Sequence, residues 1–348
     1  MAKSKPTIDD VAALSGVGRA TVSRVINNGP HVRPEMRRRV MEAISKLGYT
    51  VNVQARNLAT GHSRQVLLIH ESNHETEPNS YYFSGLELGA LQSCAERGYR
   101  LVAQAIDRDA RTWKSAIVEL VENGRYDGLI LPPPFSDDAD LIRAIKNVPC
   151  ALICISAGKG VRDLVPSIGI DDERAGYDIA RHLLDLGHRR IAYIKGIKGH
   201  ASAEMRFAGL GRALAERGIE PASVVAERGN FTFRSGIECG ERILEREPDV
   251  TAIICANDDM AAGVLLVCHK AGLAVPSQIS VAGFDDTPMS SIVWPPLTTV
   301  HQPIKDLARR AAAMLLKLVE DGGADEDGYL TCIDHGIVIR QSTAPPPR

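Results

Sequence analysis

The sequence predicts two parts of different fold class: an N-terminal all-α helix-turn-helix headpiece over residues 1–50 and an α/β core of two lobes over residues 63–348. Short amphipathic segments separated by tight turns fill the headpiece region. From Ser63 onward, apolar runs of strand length alternate with helical segments, which is typical of parallel sheets. This alternation restarts at SIGIDDERAG, so we expect two parallel-sheet, Rossmann-like lobes.

The charges of the chain are distributed unevenly between these parts. Residues 1–64 contain eleven Lys and Arg against four Asp and Glu, a net charge of +7, whereas the whole chain carries −2. A basic segment with a compact helical pattern is typical of nucleic-acid binding. A helical hairpin with a solvated basic face that packs on another element is the alternative.

The first two helices of the headpiece predict a helix-turn-helix. Thr7 and Asp10 have the spacing of a capping box, with Asp in place of the usual Glu, and the helix that they begin ends near Ser15. After a turn at residues 16–18, the segment RATVSRVI directs its apolar residues inward. Its other residues point outward: Arg19, Ala20, Ser23 and Arg24. The second helix is therefore a candidate recognition helix.

A third helix completes the headpiece. Asn28-Gly29-Pro30 breaks the chain, and Pro34 is well suited to the first turn of the next helix. The apolar stripe of this helix consists of Val40, Ala43, Ile44 and Leu47.

The core elements follow in order. The first lobe is expected to contain strand RQVLLIHES, helix 85–97, strand 100–104, helix 112–122, strand YDGLILPPP, helix 138–146 and strand PCALICIS. The second is expected to contain helix 172–186, strand RIAYIKG, helices 203–217 and 235–244, strand TAIICAND, helix 260–271 and strand ISVAGFDD. We place the first lobe at about 63–163 plus 303–329, and the second at about 164–302 plus 330–342.

Two such lobes predict a ligand-binding cleft. In open α/β sheets ligands meet the carboxyl ends of the strands. This rule nominates residues 70–73, 132–135, 154–156, 196–202, 257–258 and 285–286. Their Asp, Asn and Phe side chains supply the hydrogen bonds and aromatic faces that sugars require.

Several long motifs resemble one family. GVGRATVSRVIN, His31-Val32, LGY and NVQARNLATG resemble the headpiece and hinge of the lactose/galactose repressor (LacI/GalR) family. LGHRRIAYIKG, MRFAG, ANDDMAAG, VAGFDD and PPLTTVHQP resemble the core of that family, whose fold is similar to that of periplasmic sugar-binding proteins. The resemblance covers nearly the whole chain. It implies a dimeric repressor that binds a pseudo-palindromic double-stranded DNA operator and a small-molecule effector, most simply a mono- or disaccharide.

The resemblance also implies a DNA-binding hinge at residues 51–62. The helix from Val53 to Thr60 is too short to be stable alone, so we expect it to fold when two copies pair on DNA. In the family a leucine matching Leu58 wedges between base pairs, and a small residue matching Ala55 permits close approach. Read without the resemblance, Leu58 is an ordinary linker leucine. The implied DNA-binding residues are Thr7, Arg19, Ala20, Thr21, Ser23, Arg24, Asn27, His31, Asn52, Ala55 and Leu58.

The effector-binding residues implied by the resemblance are Phe83, Ser202, Arg206, Phe231, Asn257, Asp285 and Gln302. Simpler roles remain open for most of them. Arg206 is able to pair with acids of its own lobe, Asp285 to cap a turn, and Gln302 to support a lobe crossover. Phe83 and Phe231 also fit a hydrophobic core.

The sequence departs from the family pattern at four positions. Gly18 stands at the recognition-helix N-cap, where Ser or Thr is usual, and Val51 replaces a common Pro before the hinge. Pro132 and Cys154 occupy strand ends where many relatives carry polar residues, so those family contacts do not transfer.

Other classes of protein receive little support from the sequence. No phosphate loop, nucleophile elbow, zinc triad or dinucleotide fingerprint occurs, so we expect no catalysis, no metal and no cofactor. The seven cysteines lack paired metal-ligand spacing. An architectural DNA-binding protein would not need a two-lobed core. With no signal peptide, no apolar run near about 18 residues and no heptad extension after QSTAPPPR, a cytoplasmic dimer is expected.

Overall fold

The computed structural model describes residues 6–26, 29, 31–49, 63–71, 80–321 and 330–347. The chain divides into two compact units, residues 1–63 and residues 64–348. The described part of the first unit is helical, and the second is α/β. No helix among the described residues is long and apolar enough to span a membrane.

Three helices form the headpiece: α1 (Ile8–Ser15), α2 (Arg19–Ile26) and α3 (Pro34–Leu47). The predicted capping box is confirmed, since Asp10 N donates to Thr7 Oγ1 at 3.3 Å and Thr7 N donates to the Asp10 carboxylate at 2.8 Å. The pKa of Asp10 is lowered because its carboxylate accepts from Thr7 Oγ1 at 2.7 Å and from Thr7 N. A small core holds the helices together, formed by Val11, Val17, Val22, Val25, Val40 and Ala43.

The core contains twelve strands and nine α-helices among its described residues, with 3₁₀ turns at Phe135–Asp137 and Pro221–Ser223. In chain order they are β1 (Gln65–Glu71), α4 (Ser80–Glu96), β2 (Arg100–Ile106), α5 (Trp113–Asn123), β3 (Gly128–Leu131), α6 (Ala139–Ile145), β4 (Ala151–Ile155), β5 (Ser167–Gly169), α7 (Asp172–Asp185), β6 (Ile191–Lys195), α8 (Ala201–Glu216), β7 (Val225–Arg228), α9 (Phe233–Arg246), β8 (Ala252–Cys255), α10 (Asp258–Lys270), β9 (Ser280–Asp285), α11 (Pro288–Ile292), β10 (Thr298–His301), α12 (Ile304–Asp321), β11 (Leu330–Cys332) and β12 (Gly336–Val338).

Two six-stranded sheets organise the core, one in each lobe. The first sheet has the order β11-β5-β4-β3-β1-β2, and all its pairs are parallel. The second has the order β12-β10-β9-β8-β6-β7, and only the pair of β10 with β12 is antiparallel. The expected pair of parallel-sheet lobes is confirmed, with one antiparallel edge strand added.

The lobe boundaries differ from those expected at residues 164 and 330. Strand β5 pairs with β4, and β11 pairs with β5, so both belong to the first lobe. The chain therefore changes lobe at about residues 170–171 and 333–335 rather than near 164 and 330. Strands of three residues leave no alternation in the sequence that would assign them to a sheet. The third change of lobe, at residues 302–303, lies where it was expected.

Glycine at one helix contact positions the cleft residues of the second lobe. An added Cβ at Gly176 on α7 would overlap the backbone of Arg206 on α8. The absence of a side chain therefore lets the two helices approach closely. This approach brings the start of α7 beside the side chain of Arg206.

Candidate functional site

Helix α2, the candidate recognition helix, exposes three of the four residues that the sequence directed outward, and Ser23 is the exception. Arg19, Ala20 and Arg24 are exposed, Thr21 and Ser23 are half-buried, and Val22 is buried. Arg19 makes an ion pair with Asp9 at 3.6 Å, in which both side chains are about two-thirds exposed. Such a pair is weak in water, so the guanidinium is available to a phosphate or a base edge.

Two further headpiece residues lie on the surface. Thr7 is exposed at the start of α1, and His31 is exposed with φ at 63° just before α3. The predicted DNA-binding residues Asn27, Asn52, Ala55 and Leu58 lie outside the described residues.

Arg206 lies at the centre of a group of hydrogen-bonded residues on the cleft side of the second lobe. Its Nε donates to Asp172 Oδ1 at 2.9 Å, its Nη1 to the Ala256 carbonyl at 2.9 Å, and its Nη2 to Gln302 Oε1 at 3.0 Å. The guanidinium carbon lies 3.5 Å from the centre of the Phe284 ring. Burial acts to lower the pKa of Arg206, but the carboxylates of Asp172 and Asp285 raise it above the ordinary value.

Asp285 faces this arginine from the end of β9. It is buried, has φ at 102°, and lies 4.0 Å from Arg206 Nη1. Burial raises the pKa of its carboxyl well above the ordinary value, although Arg206 opposes the effect. In the described structure the following turn is capped by Asp258 and Asp286, through Thr287 N and Ser290 Oγ respectively. The capping role that the sequence left open for Asp285 is therefore filled by its neighbours.

Asn257 and Phe231 are joined by a hydrogen bond. Asn257 Oδ1 accepts from Met260 N at 3.1 Å, capping α10, and Nδ2 donates to the Phe231 carbonyl at 2.9 Å. The Phe231 ring covers Gly196 and lies 4.9 Å from the His200 ring. Since Phe231 has φ at 67°, the amide of Asn257 stabilises an uncommon backbone conformation.

Two aromatic residues of α4 belong to the first lobe. The Phe83 ring is half-buried and lies 5.3 Å from the His70 ring and 5.5 Å from the Tyr82 ring. Burial raises the pKa of the Tyr82 phenol, and the charges of Asp285 and Arg206 also act on it. The phenol of the first lobe is therefore close to the charged cluster of the second.

Five buried side-chain oxygens have no hydrogen-bond partner among the described residues. They are Ser136 Oγ, Asp137 Oδ1, Ser156 Oγ, Asp172 Oδ2 and Ser202 Oγ. All five residues follow strands or begin helices on the cleft side, and both lobes contribute. Buried polar atoms rarely stay unpaired in native proteins, so this set is the expected lining of a site for a polar ligand.

The lobes are linked beside these oxygens. Asp137 Oδ2 of the first lobe accepts from Ala201 N of the second at 3.0 Å. Arg162 Nη2 lies 3.8 Å from the sulfur of Met205, while its Nε donates to the Ala157 carbonyl at 2.8 Å. The first turn of α8 therefore contacts the first lobe directly.

The structure brings together Ser202, Arg206, Asn257, Asp285 and Gln302 of the predicted effector set at the carboxyl edge of the second sheet. Sequence reasoning missed Asp137 and Tyr82, and it did not name Asp172 as the acid that pairs with Arg206. His200 lies in the nominated segment 196–202 and Asp137 lies two residues after the nominated segment 132–135, so strand-end position was a usable signal for both. Tyr82 directly precedes Phe83 and follows no nominated strand end. Nothing in the sequence pairs Asp137 with Ala201, 64 residues away.

Comparison with protein families matches both parts of the chain. Residues 7–52 match the model of bacterial regulatory proteins of the lacI family, and residues 180–343 match that of the periplasmic binding protein-like domain. The chain is 32% identical over 347 residues to the HTH-type transcriptional regulator CelR of Thermobifida fusca, covering 98% of this chain and 99% of that protein.

Solved structures give the same result. A Lac repressor dimer bound to operator and the anti-inducer ONPF is 28% identical with a TM-score of 0.83, covering 97% of this chain and 99% of that one. A complex of CelR with cellobiose is 28% identical with a TM-score of 0.73 over the same shares of the two chains. The exposed recognition helix, the two-lobed core and these similarities together show that the chain belongs to the LacI family of bacterial transcriptional regulators.

Proposed function

We propose that this protein is a dimeric, cytoplasmic repressor whose affinity for a pseudo-palindromic operator changes when a sugar binds between the two core lobes. One observation carries the proposal: both lobes contribute buried, unpartnered side-chain oxygens to the cleft of a chain that also exposes a recognition helix. Similar proteins have been solved with operator and with cellobiose, which supports both halves of the proposal.

The chemistry of the cleft favours a polyhydroxyl ligand. Asp172 Oδ2 and Asp137 Oδ1 are acceptors, and the hydroxyls of Ser136, Ser156 and Ser202 donate or accept. Aromatic rings on both sides, such as Phe83 and Phe231, provide faces for the apolar side of a sugar ring. A mono- or disaccharide matches this combination of groups.

Exposed apolar residues in both lobes support a dimer. In the second lobe Ile292, Trp294 and Ile339 are 69%, 83% and 64% exposed. In the first, Leu88 and Leu91 lie three residues apart on α4 and are about half exposed. Contiguous apolar patches mark interaction surfaces, and the spacing of Ile292 with Trp294 and of Leu88 with Leu91 fits two such patches. A second copy of the chain is the partner that a two-fold operator requires.

On DNA, we propose that two copies of α2 enter successive major grooves. Arg19, Ala20, Thr21, Ser23, Arg24 and Asn27 would face the groove, with Thr7, His31 and Asn52 near the backbone. The paired hinge segments would enter the minor groove with Ala55 at their contact and Leu58 as the wedge.

The decisive experiment measures coupling between the cleft and the operator. After selection of the operator and a thermal-shift screen of sugars, the affinity of wild-type protein for operator is titrated with and without the identified sugar. We expect a coupling of about 1–3 kcal/mol, since each ligand must alter the affinity for the other equally. Asp285→Ala should abolish the response to sugar and leave the sugar-free operator affinity nearly unchanged.

Two further variants control this experiment. Leu58→Ala should weaken operator binding and leave the sugar affinity of the free protein intact. Asp249→Ala, which removes only an exposed partner of Arg190, should change neither property. Loss of operator binding by Asp285→Ala without any sugar would show that Asp285 is structural and that the cleft assignment fails.

A further inference from the structure

Asp137 occupies a position in the cleft that the family motifs did not nominate. It is the last residue of the 3₁₀ turn Phe135–Asp137, which follows β3 after a run of three prolines. The neighbouring strand ends carry Pro132 and Cys154, whose side chains offer no strong hydrogen-bonding group. The first polar side chains that this part of the first lobe offers are therefore Ser136 and Asp137.

The carboxylate of Asp137 is held in place with one oxygen left over. Oδ2 accepts from Ala201 N at 3.0 Å, whereas Oδ1 is buried and makes no hydrogen bond of good geometry among the described residues. The nearby Gly158 N–H stabilises the charge of this carboxylate. A Cβ added at Gly158 would lie 3.1 Å from both Oδ1 and the Ala201 side chain, so the carboxylate sits in a confined space between the lobes. Two unpartnered hydroxyls belong to neighbouring residues. Ser136 directly precedes Asp137, and Ser202 of the other lobe directly follows Ala201.

The charges around this oxygen disfavour an anion. Three carboxylates face the cleft, at Asp137, Asp172 and Asp285, and every nitrogen of Arg206 already donates to a protein acceptor. His200 is neutral because burial lowers its pKa to about 3. Its Nδ1 accepts from Ala203 N at 3.4 Å, which leaves the proton on Nε2. Two further cations lie on this side of the cleft. Arg108 acts to lower the pKa of Asp137, and its guanidinium lies 6.0 Å from the centre of the Trp113 ring. Arg162 already donates from Nε to the Ala157 carbonyl at 2.8 Å.

We infer that Asp137 is a specificity-determining residue: its free oxygen accepts a hydrogen bond from the effector, and the cleft thereby selects a neutral or cationic polyhydroxyl molecule over an anionic one. The inference rests on the proposed function, because it concerns the effector of the same cleft. It assigns the effector to simple or amino sugars and excludes sugar acids and sugar phosphates. Burial raises the pKa of Asp137 to about 7. Above that pH its carboxylate gains from a hydroxyl or an ammonium group and repels a phosphate, so the probes are compared at about pH 8.

The first arm of the test uses the intact wild-type protein and matched probes. Thermal shift and calorimetry compare glucose, galactose, cellobiose and lactose with glucosamine and galactosamine, and with glucuronate, galacturonate and glucose 6-phosphate. We expect binding among the neutral or amino sugars and at least tenfold weaker binding of the corresponding anions. An anionic probe that binds as tightly as its neutral counterpart would overturn the inference and leave the proposed function standing.

Failure of the proposed function gives a different result. If none of these probes binds, the assignment of a sugar effector is wrong and the inference falls with it. In that case the variants of Asp137 need not be made.

The second arm tests Asp137 itself by the ratio of affinities. Asp137→Asn keeps an oxygen for Ala201 N but removes the charge, so we expect the preference for glucosamine over glucuronate to fall at least tenfold. Asp138→Asn is the matched control, because the neighbouring carboxylate caps α6 through Leu141 N and pairs with Lys114 instead. That control should leave the ratio unchanged. If Asp137→Asn lowers the affinity for all probes by one common factor, Asp137 only joins the lobes and the inference is wrong.

Discussion

Arg206 and Asp172 form a buried ion pair across 34 residues of sequence, with Nε 2.9 Å from Oδ1 and both side chains almost fully buried. The remaining nitrogens of Arg206 bind Ala256 and Gln302, which follow β8 and precede α12 respectively. One side chain therefore connects the start of α7 with the carboxyl edge of the second sheet. The pairing of Arg206 with an acid of its own lobe, which the sequence left open, is therefore present. Contact between Arg206 and an effector remains a proposal.

We predict that Arg206→Ala destabilises the core strongly. The substitution leaves Asp172 and Asp285 buried beside no cation, and breaking a buried pair in this way typically costs about 3–5 kcal/mol. The measurement is denaturant unfolding followed by tryptophan fluorescence, since both tryptophans of the chain belong to the α/β unit and Trp113 is partly buried against Phe135.

Arg212→Ala is the matched control for that prediction. Arg212 lies on the same helix and pairs with Glu173 at 3.0 Å, but both side chains are more than one-third exposed. We expect its loss to cost at most about 1 kcal/mol. Equal effects of the two variants would contradict a special role for the buried pair.

The stability of the core should depend on the ionisation of Asp137. Burial raises the pKa of its carboxyl to about 7, and the negative charge of Asp172 adds to this rise. The backbone N–H groups of Ala201 and Gly158 and the positive charge of Arg108 act to lower the pKa. A carboxyl whose pKa is higher in the folded state binds an extra proton there, so stability falls as pH rises from about 4 to about 7.

Asp137→Asn tests this dependence. The amide does not ionise, so we expect the variant to gain stability relative to wild type as pH rises through that window, and the difference to level off above about pH 7. The difference in stability is measured from the unfolding midpoints of both proteins at about pH 5, 6, 7 and 8. A constant difference across the range would show that Asp137 is not the group concerned.

Gly18→Ser should strengthen the start of the recognition helix. The Gly18 carbonyl already accepts from Val22 N at 3.0 Å, and a Cβ added at Gly18 meets no atom within 4 Å. A serine side chain therefore fits and supplies the missing cap, worth a few tenths of a kcal/mol over glycine. Operator affinity should rise modestly, because the hydroxyl also reaches toward phosphate.

Gly18→Ala separates the two effects of that substitution. Alanine fits the same space but cannot cap, and we expect it to lower headpiece stability by about 0.5–1 kcal/mol. Thermal unfolding by circular dichroism and operator titrations compare the three proteins. A serine variant that behaves like the alanine variant would show that no cap forms.

Arg19→Ala should relax sequence preference rather than weaken binding uniformly. If Arg19 reads a base edge, its removal lowers discrimination at one symmetric base pair by about 1–3 kcal/mol. Arg38→Ala is the control, since Arg38 is equally exposed but lies on α3 and pairs with Glu42 at 3.0 Å. Equal weakening by Arg19→Ala on every operator variant would identify Arg19 as a phosphate contact.

Trp294→Glu should disrupt the dimer. Trp294 is 83% exposed, so the substitution costs the monomer little, but a charge in an apolar contact between copies is unfavourable. Analytical ultracentrifugation should show a monomer, and operator affinity should fall with it. Arg234→Glu, at an exposed position on α9 in the same lobe, should leave the dimer intact.

The headpiece and the alternating core were predictable because their signals are local. The spacing of Thr7 and Asp10 gives the first cap, and the apolar strands that contain Cys154 and Cys255 give the sheets. Helices α11 and α12 and strands β5, β7, β10, β11 and β12 were not predicted. The residues of β5 and β11 were assigned to the wrong lobe, because three residues carry no periodicity.

The cleft was predictable only in part. Strand-end position found Asn257 and Asp285, since a parallel sheet places its carboxyl ends together. It did not find the partners of Arg206, which come from residues 34, 50 and 96 positions away. Such contacts depend on how α7 and α8 pack around Gly176, and no local pattern encodes that distance.

The chain passes between the lobes at residues 170–171, 302–303 and 333–335 of the described structure. These connections are tied to one another: Ile333 N donates to the Gly169 carbonyl at 2.8 Å, and Arg206 binds both Asp172, just after the first connection, and Gln302, in the second. A molecule that competes for that guanidinium would therefore change the contacts of the lobe connections themselves, not only those of the cleft surface.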